Sequence, residues 1–103
     1  MGIVSVVYTH RAIQNALAIH DYLKFYFSIT EVASFYILIH SFEKVILNFP
    51  KLYHKPNRKL NIRRAVMSKQ LSIYYRINKE VIEVIAILDN RCDMENKIDS
   101  SII

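Results

Sequence analysis

The sequence predicts an α+β domain of order β-α-α-β-β-β, in which an N-terminal helical hairpin packs on one face of an antiparallel sheet. Three observations predict it. Apolar residues recur at helical spacing through the first half of the chain. From Leu60 onward the apolar period switches to two, the period of a half-buried strand. Only one Gly and two Pro occur in 103 residues, so long irregular loops have little place. A chain of this length supports one core. The expected domain spans residues 1–95, with a C-terminal tail over 96–103.

Residues 3–8 are short, β-branched and aromatic, and predict a first strand. Thr9 is placed to cap a helix by accepting a bond from a free N–H of its first turn. Ala12, Ala16, Ile19, Leu23 and Tyr26 then form one apolar face over residues 10–27. Ser28 and Glu31 have the S-x-x-E spacing of a capping box and start a second helix. Its inward residues are expected to be Phe35, Leu38, Ile39, Phe42, Val45 and Ile46, and Pro50 stops it. One or two linking residues force the helices antiparallel. Val32, Tyr36 and Ile37 lie off the main stripe, so that side of the helix is covered either by the fold or by a partner.

Beyond a polar link over 51–57, Leu60 and Ile62 alternate with polar neighbours in a strand reaching about Met67. Leu71, Ile73, Tyr75 and Ile77 alternate in the next. Asn78, Lys79 and Glu80 make a tight turn, and residues 81–88 form the most apolar and therefore central strand. The two short connections favour an antiparallel meander.

The apolar fraction, 52%, excludes a disordered chain. A single cysteine, Cys92, cannot form an internal disulfide and reads as a bystander thiol. The N-terminus lacks a basic segment followed by a cleavage site, and no apolar run reaches membrane-spanning length, so a soluble cytoplasmic protein is expected.

The net charge of +5 is unevenly spread. Between Glu43 and Glu80 there is no acid, while Lys44, Lys51, Lys55, Arg58, Lys59, Arg63, Arg64, Lys69, Arg76 and Lys79 all fall there. Such asymmetry points to a nucleic acid, an acidic protein or a phosphorylated ligand.

No Gly-rich phosphate loop, H-E-x-x-H or G-x-S-x-G is present. His10, His20, His40 and His54 lack ligand spacing, so no metal or cofactor is expected. His20 and Asp21 are helix neighbours pointing apart, and His40 reads as a packed or edge histidine. Asp89, Asp93 and Glu95 read as a solvated strand-to-tail segment. Arg64 and Arg76 are expected on the sheet surface, Arg91 just beyond the central strand, and one of Tyr74 and Tyr75 on the face of Arg76. Guanidinium groups beside aromatic rings suit RNA, and the same surface suits an acidic peptide.

Two segments resemble the RelE/ParE superfamily of toxins from bacterial type II toxin–antitoxin systems. The first is Val7-Tyr8-Thr9 with the helix that ends in Ile19-His20-Asp21-Tyr22-Leu23. The second runs from Phe49-Pro50 through Arg63-Arg64 and Leu71-Ser72-Ile73-Tyr74-Tyr75-Arg76-Ile77 to Val81-Ile82-Glu83-Val84-Ile85 and Asp89-Asn90-Arg91. The resemblance implies a toxin silenced by a cognate antitoxin, in a hetero-oligomer with it. RelE-type members are ribosome-dependent mRNA endoribonucleases using basic residues and a C-terminal tyrosine. Here Arg91 matches the arginine after the last strand, but Ser72 stands near another catalytic arginine's place and no tyrosine follows Arg91. ParE-type members instead poison DNA gyrase without such a set. The resemblance is therefore closer to the ParE branch and leans away from an enzyme.

The first expectation is thus a gyrase-binding toxin. The alternatives are a ribosome-directed ribonuclease using Lys59, Arg64, Arg76 and Arg91, or a non-toxic interaction module. Antitoxin contact is expected on the helical side at Val32, Tyr36 and Ile37, or on the basic sheet at Arg58, Arg63, Arg64, Tyr74, Arg76 and Arg91.

Overall fold

Both expected caps form. Thr9 Oγ1 accepts from the Ala12 N–H at 3.1 Å, and Ser28 Oγ accepts from the Glu31 N–H at 3.3 Å. Each pairs one of the donors that a helix start leaves open. In the computed structural model, which describes residues 2–92, these caps open α1 (His10–Tyr26) and α2 (Ile29–Asn48). Only Phe27 and Ser28 separate them, so the helices fold back as a hairpin. The expected domain limit at residue 95 and the tail 96–103 lie outside the described residues.

The strands are β1 (Ser5–Tyr8), β2 (Arg63–Val66), β3 (Leu71–Asn78) and β4 (Val81–Asp89), in sheet order β1-β4-β3-β2. The α+β order is the expected one, and β4 is central as its apolar run implied. β2, β3 and β4 form the antiparallel meander, while β1 adds parallel to β4. The sheet is therefore mixed. β1 and β2 point the same way because the whole hairpin and the 49–62 loop lie between them, enough chain to return to the starting end. β2 is shorter than expected: Leu60 is held in a turn, its N–H donating to the Asn57 carbonyl at 3.2 Å.

The core lies between sheet and hairpin. Ala65, Leu71, Ile73, Tyr75, Ile82, Val84 and Ile87 meet Ala12, Ile19 and Leu23 of α1 and Val32, Phe35, Phe42 and Ile46 of α2. Phe42 and Tyr75 pack edge to face at 5.4 Å. Tyr26, expected inward, is 64% exposed. It is the last helical residue, and its ring stacks at 4.7 Å on Tyr22 instead.

A bulge in β4 decides the far half of that strand. Tyr74 pairs with Ala86 but Tyr75 pairs with Val84, leaving Ile85 as the extra residue. The Ile85 carbonyl accepts from Thr9 Oγ1 at 3.0 Å, so the α1 cap also fastens the bulge. Beyond it the side-chain parity reverses: Ile82 and Val84 face the helices, and then so does Ile87.

Tyr75 carries a testable consequence. Its hydroxyl donates to the Pro50 carbonyl at 2.8 Å. Burial pushes its pKa up to about 12, against the opposing charge of Arg63. Tyr8 is raised too, by burial and by its bond to the Glu43 carboxylate. Between the ordinary tyrosine value of about 10 and these raised values, the folded state holds protons that the unfolded chain has released. Stability is expected to be intact below pH about 10 and to fall as pH rises toward 12. Urea midpoints taken across that window, with tyrosinate absorbance, check it. Tyr75→Phe is expected to flatten the decline while lowering neutral-pH stability by about 1 kcal/mol through the lost bond.

Candidate functional site

Arg91 is not a free cation. Its Nε and Nη2 donate to the two oxygens of Asp89 at 3.0 and 2.8 Å, and Nη1 donates to Glu31 at 2.7 Å. The guanidinium also sits 5.4 Å from the centroid of the Phe27 ring. The Asp89 side chain has no solvent exposure. Its hydrogen bonds, then the Glu31 partnership, hold the Arg91 pKa above even the usual arginine range. One expectation is corrected. Asp89 belongs to a buried ion-pair cluster rather than a solvated segment, because the bulge turns it beneath the sheet. Arg91 ties the end of β4 to the first turn of α2, its guanidinium shared between two carboxylates. Asp93 and Glu95 lie outside the described residues.

The opposite face of the sheet carries Arg64 and Arg76. Arg76 donates from Nε to the Glu83 carboxylate of its register partner, which holds the Glu83 pKa below the usual carboxylate range. Arg64 pairs across from Tyr74 and shares that open face with Arg76. Its Nε is buried with no hydrogen-bond partner among the described residues. Arg63, one residue earlier, points to the helix side and donates from Nη1 to the Tyr53 carbonyl at 2.7 Å. The two adjacent arginines therefore do not act together on one surface. Tyr74, expected to be available to a partner, is only 3% exposed, and Ser72 beside it is buried too.

These positions separate the expected ribonuclease set. Arg76 is level with Glu83 near the β3–β4 turn, and Arg91 follows Asp89 at the other end of the strand. At ~3.3 Å per residue the separation is on the order of 15–20 Å. The two also lie on opposite faces of the sheet. Lys59 stands in the loop before β2, exposed, as does Arg58. The four residues do not converge on one phosphate.

The hairpin offers a different kind of surface. Val32, expected to contact a partner, is buried in the core at 4% exposure. Ile37 at 64% and Tyr36 at 43% do remain outside. Tyr36 is held across the hairpin by a 2.9 Å hydrogen bond between its hydroxyl and His20 Nδ1. Next to His20 on α1, Leu17 and Ile13 are also about half exposed. The sequence reading missed these two. They form an apolar i,i+4 pair off the Ala12–Ile19–Leu23 stripe, a signal that was visible. Exposed apolar residues on both helices make a surface that a polypeptide could cover. Among the described residues, no helix is long and apolar enough to cross a membrane.

No protein-family model and no curated protein sequence matches this one. Among solved structures it is similar to a chain of the chromosomal ParDE TA system from P. aeruginosa, at 16% identity. The alignment covers 84% of this chain and 96% of that one, with a TM-score of 0.69. The likeness establishes the fold, which is the ParE-like one that the sequence resemblance implied.

Proposed function

We propose that this protein is the toxin of a type II toxin–antitoxin pair, acting in the cytoplasm by binding and inhibiting DNA gyrase, and silenced by a cognate antitoxin in a hetero-oligomer. The observation that carries the reading is the fold shared over nearly the whole length of a ParDE chain. The half-exposed apolar surface of the hairpin supports it, because a toxin that is held silent needs a face for its antitoxin. Ribosome-dependent mRNA cleavage is the weaker alternative. Transition-state stabilisation at a phosphate needs converging cations, and Arg91 is spent on Asp89 and Glu31.

Induced expression is expected to arrest growth, and the purified protein to block gyrase supercoiling. Co-expressed antitoxin, encoded beside it, is expected to relieve both. Growth arrest with normal supercoiling would sink the gyrase assignment. Cleavage of mRNA on translating ribosomes would select the ribonuclease reading, and harmless expression would select an interaction module.

A further inference from the structure

The loop between α2 and β2 concentrates charge in a way the hairpin does not. From Phe49 to Ile62 it contains Lys51, Lys55, Arg58 and Lys59 and no acid. Among the described residues none of these four is ion-paired with a carboxylate.

Two turns set the charges at corners. The Leu52 N–H donates to the Phe49 carbonyl at 3.1 Å, which puts Pro50 and Lys51 at the centre of the first turn. The Leu60 N–H donates to Asn57 at 3.2 Å, which puts Arg58 and Lys59 at the centre of the second. The Asn57 side chain braces that turn by accepting from the Lys59 N–H at 2.9 Å.

The loop is also pinned between its turns. Tyr75 donates to the Pro50 carbonyl, Arg63 to that of Tyr53, and the Arg64 N–H to that of His54. A pinned loop has less ordering entropy to lose when it binds. At its start, the Phe49 ring is 63% exposed.

We infer that this loop is a nucleic-acid-binding element, which takes the phosphodiester backbone on Lys51, Arg58 and Lys59 and stacks an unpaired base on Phe49. A protein partner would be held by a buried apolar centre with a polar rim. That kind of surface lies on the hairpin, around Leu17, Tyr36 and Ile37. The loop's formal charges are all cationic, with Phe49 and Leu52 exposed beside them, and a phosphate backbone supplies anions at close spacing. Stacking on a single exposed ring is tolerant of sequence. The inference does not rest on the toxin reading, since it needs neither antitoxin nor gyrase.

Fluorescence anisotropy with labelled single-stranded RNA, single-stranded DNA and duplex DNA of one sequence tests it on the full chain. Each neutralised phosphate on a single strand contributes a salt slope of about 0.7, so the three loop cations predict roughly 20-fold weaker binding between about 50 and 200 mM salt. Lys51→Glu with Arg58→Glu and Lys59→Glu is expected to weaken binding at least tenfold and to lower the slope by about 2. Phe49→Ala is expected to weaken single strands and leave the duplex unchanged. RNA and DNA single strands bound alike place recognition on phosphate and base; a preference for RNA would add the 2′-hydroxyl.

Three results would overturn the inference. One is equal binding by the triple variant, with its melting temperature unchanged. Another is an equal loss from the same number of reversals elsewhere, at Arg11, Lys24 and Lys79, which would reduce the effect to net charge. The third is tighter binding of a polyglutamate peptide than of nucleic acid, which would assign the loop to an acidic polypeptide.

Discussion

Arg91→Ala is expected to cost about 3–5 kcal/mol, because it leaves a buried carboxylate without its partner. Asp89 has no exposed side-chain area, and Arg91 supplies both of its charge-assisted bonds from the guanidinium as well as the bond to Glu31. A domain of this size has about 5–15 kcal/mol to lose, so about a fifth or more of its stability is at stake. Urea denaturation reads the loss directly. Arg91→Lys keeps the charge but not the planar fork, and is expected to fall between wild type and alanine. Adding Asp89→Asn to Arg91→Ala removes the unpaired charge and is expected to recover part of the loss, a coupling that a double-mutant cycle measures. A loss below about 1 kcal/mol for Arg91→Ala would show that the cluster is solvated and contributes little.

That result bears on function as well as stability. A loss of toxicity in an arginine variant is easily taken for loss of catalysis. Here, loss of activity on replacing Arg91 is expected to track loss of folded protein. Arg64 behaves differently. It is half-buried on the open face, its Nε without a hydrogen-bond partner among the described residues, and its replacement tests a surface rather than the core.

Leu17→Asp and Ile37→Asp are each expected to weaken antitoxin binding about tenfold, and together about 100-fold. Both side chains are more than half exposed, so folding stability is expected to change by less than about 0.5 kcal/mol. Calorimetric titration with the antitoxin, alongside thermal melts, separates the two effects. In cells the double variant is expected to remain toxic when the antitoxin is co-expressed. Val32→Asp is the contrasting control, since a carboxylate in that buried position unfolds the protein instead of freeing it. Unchanged affinity in the double variant would move the antitoxin to the open sheet face. Arg63 and Arg64 are then reversed separately, because they lie on opposite sides of β2.

Much of the fold was legible because it depends on near neighbours. Thr9 and Ser28 cap helices three residues away, and those short-range bonds form as their spacing implied. Pro50 ends α2, and the alternation of Leu71, Ile73 and Tyr75 places β3. The site was less legible. Charge alone groups Arg63 with Arg64, although period two separates them. The alternation beside Arg76 puts Tyr74 on the same face as that arginine, yet Tyr74 is nearly fully buried.

The residues themselves determined the element order, both caps, the helical hairpin and the acid-free span before Glu80. Only the tertiary structure decided what the charges in that order do. Period two alone puts Asp89 on the face of Glu83, in solvent. One bulge residue, Ile85, reverses the parity and carries Asp89 beneath the sheet, where Arg91 reaches Glu31 across 60 positions of sequence. Local spacing fixes a helix or a strand because its hydrogen bonds are short in sequence. An ion pair closed over that distance depends on how strands register and helices dock, and no local pattern records it.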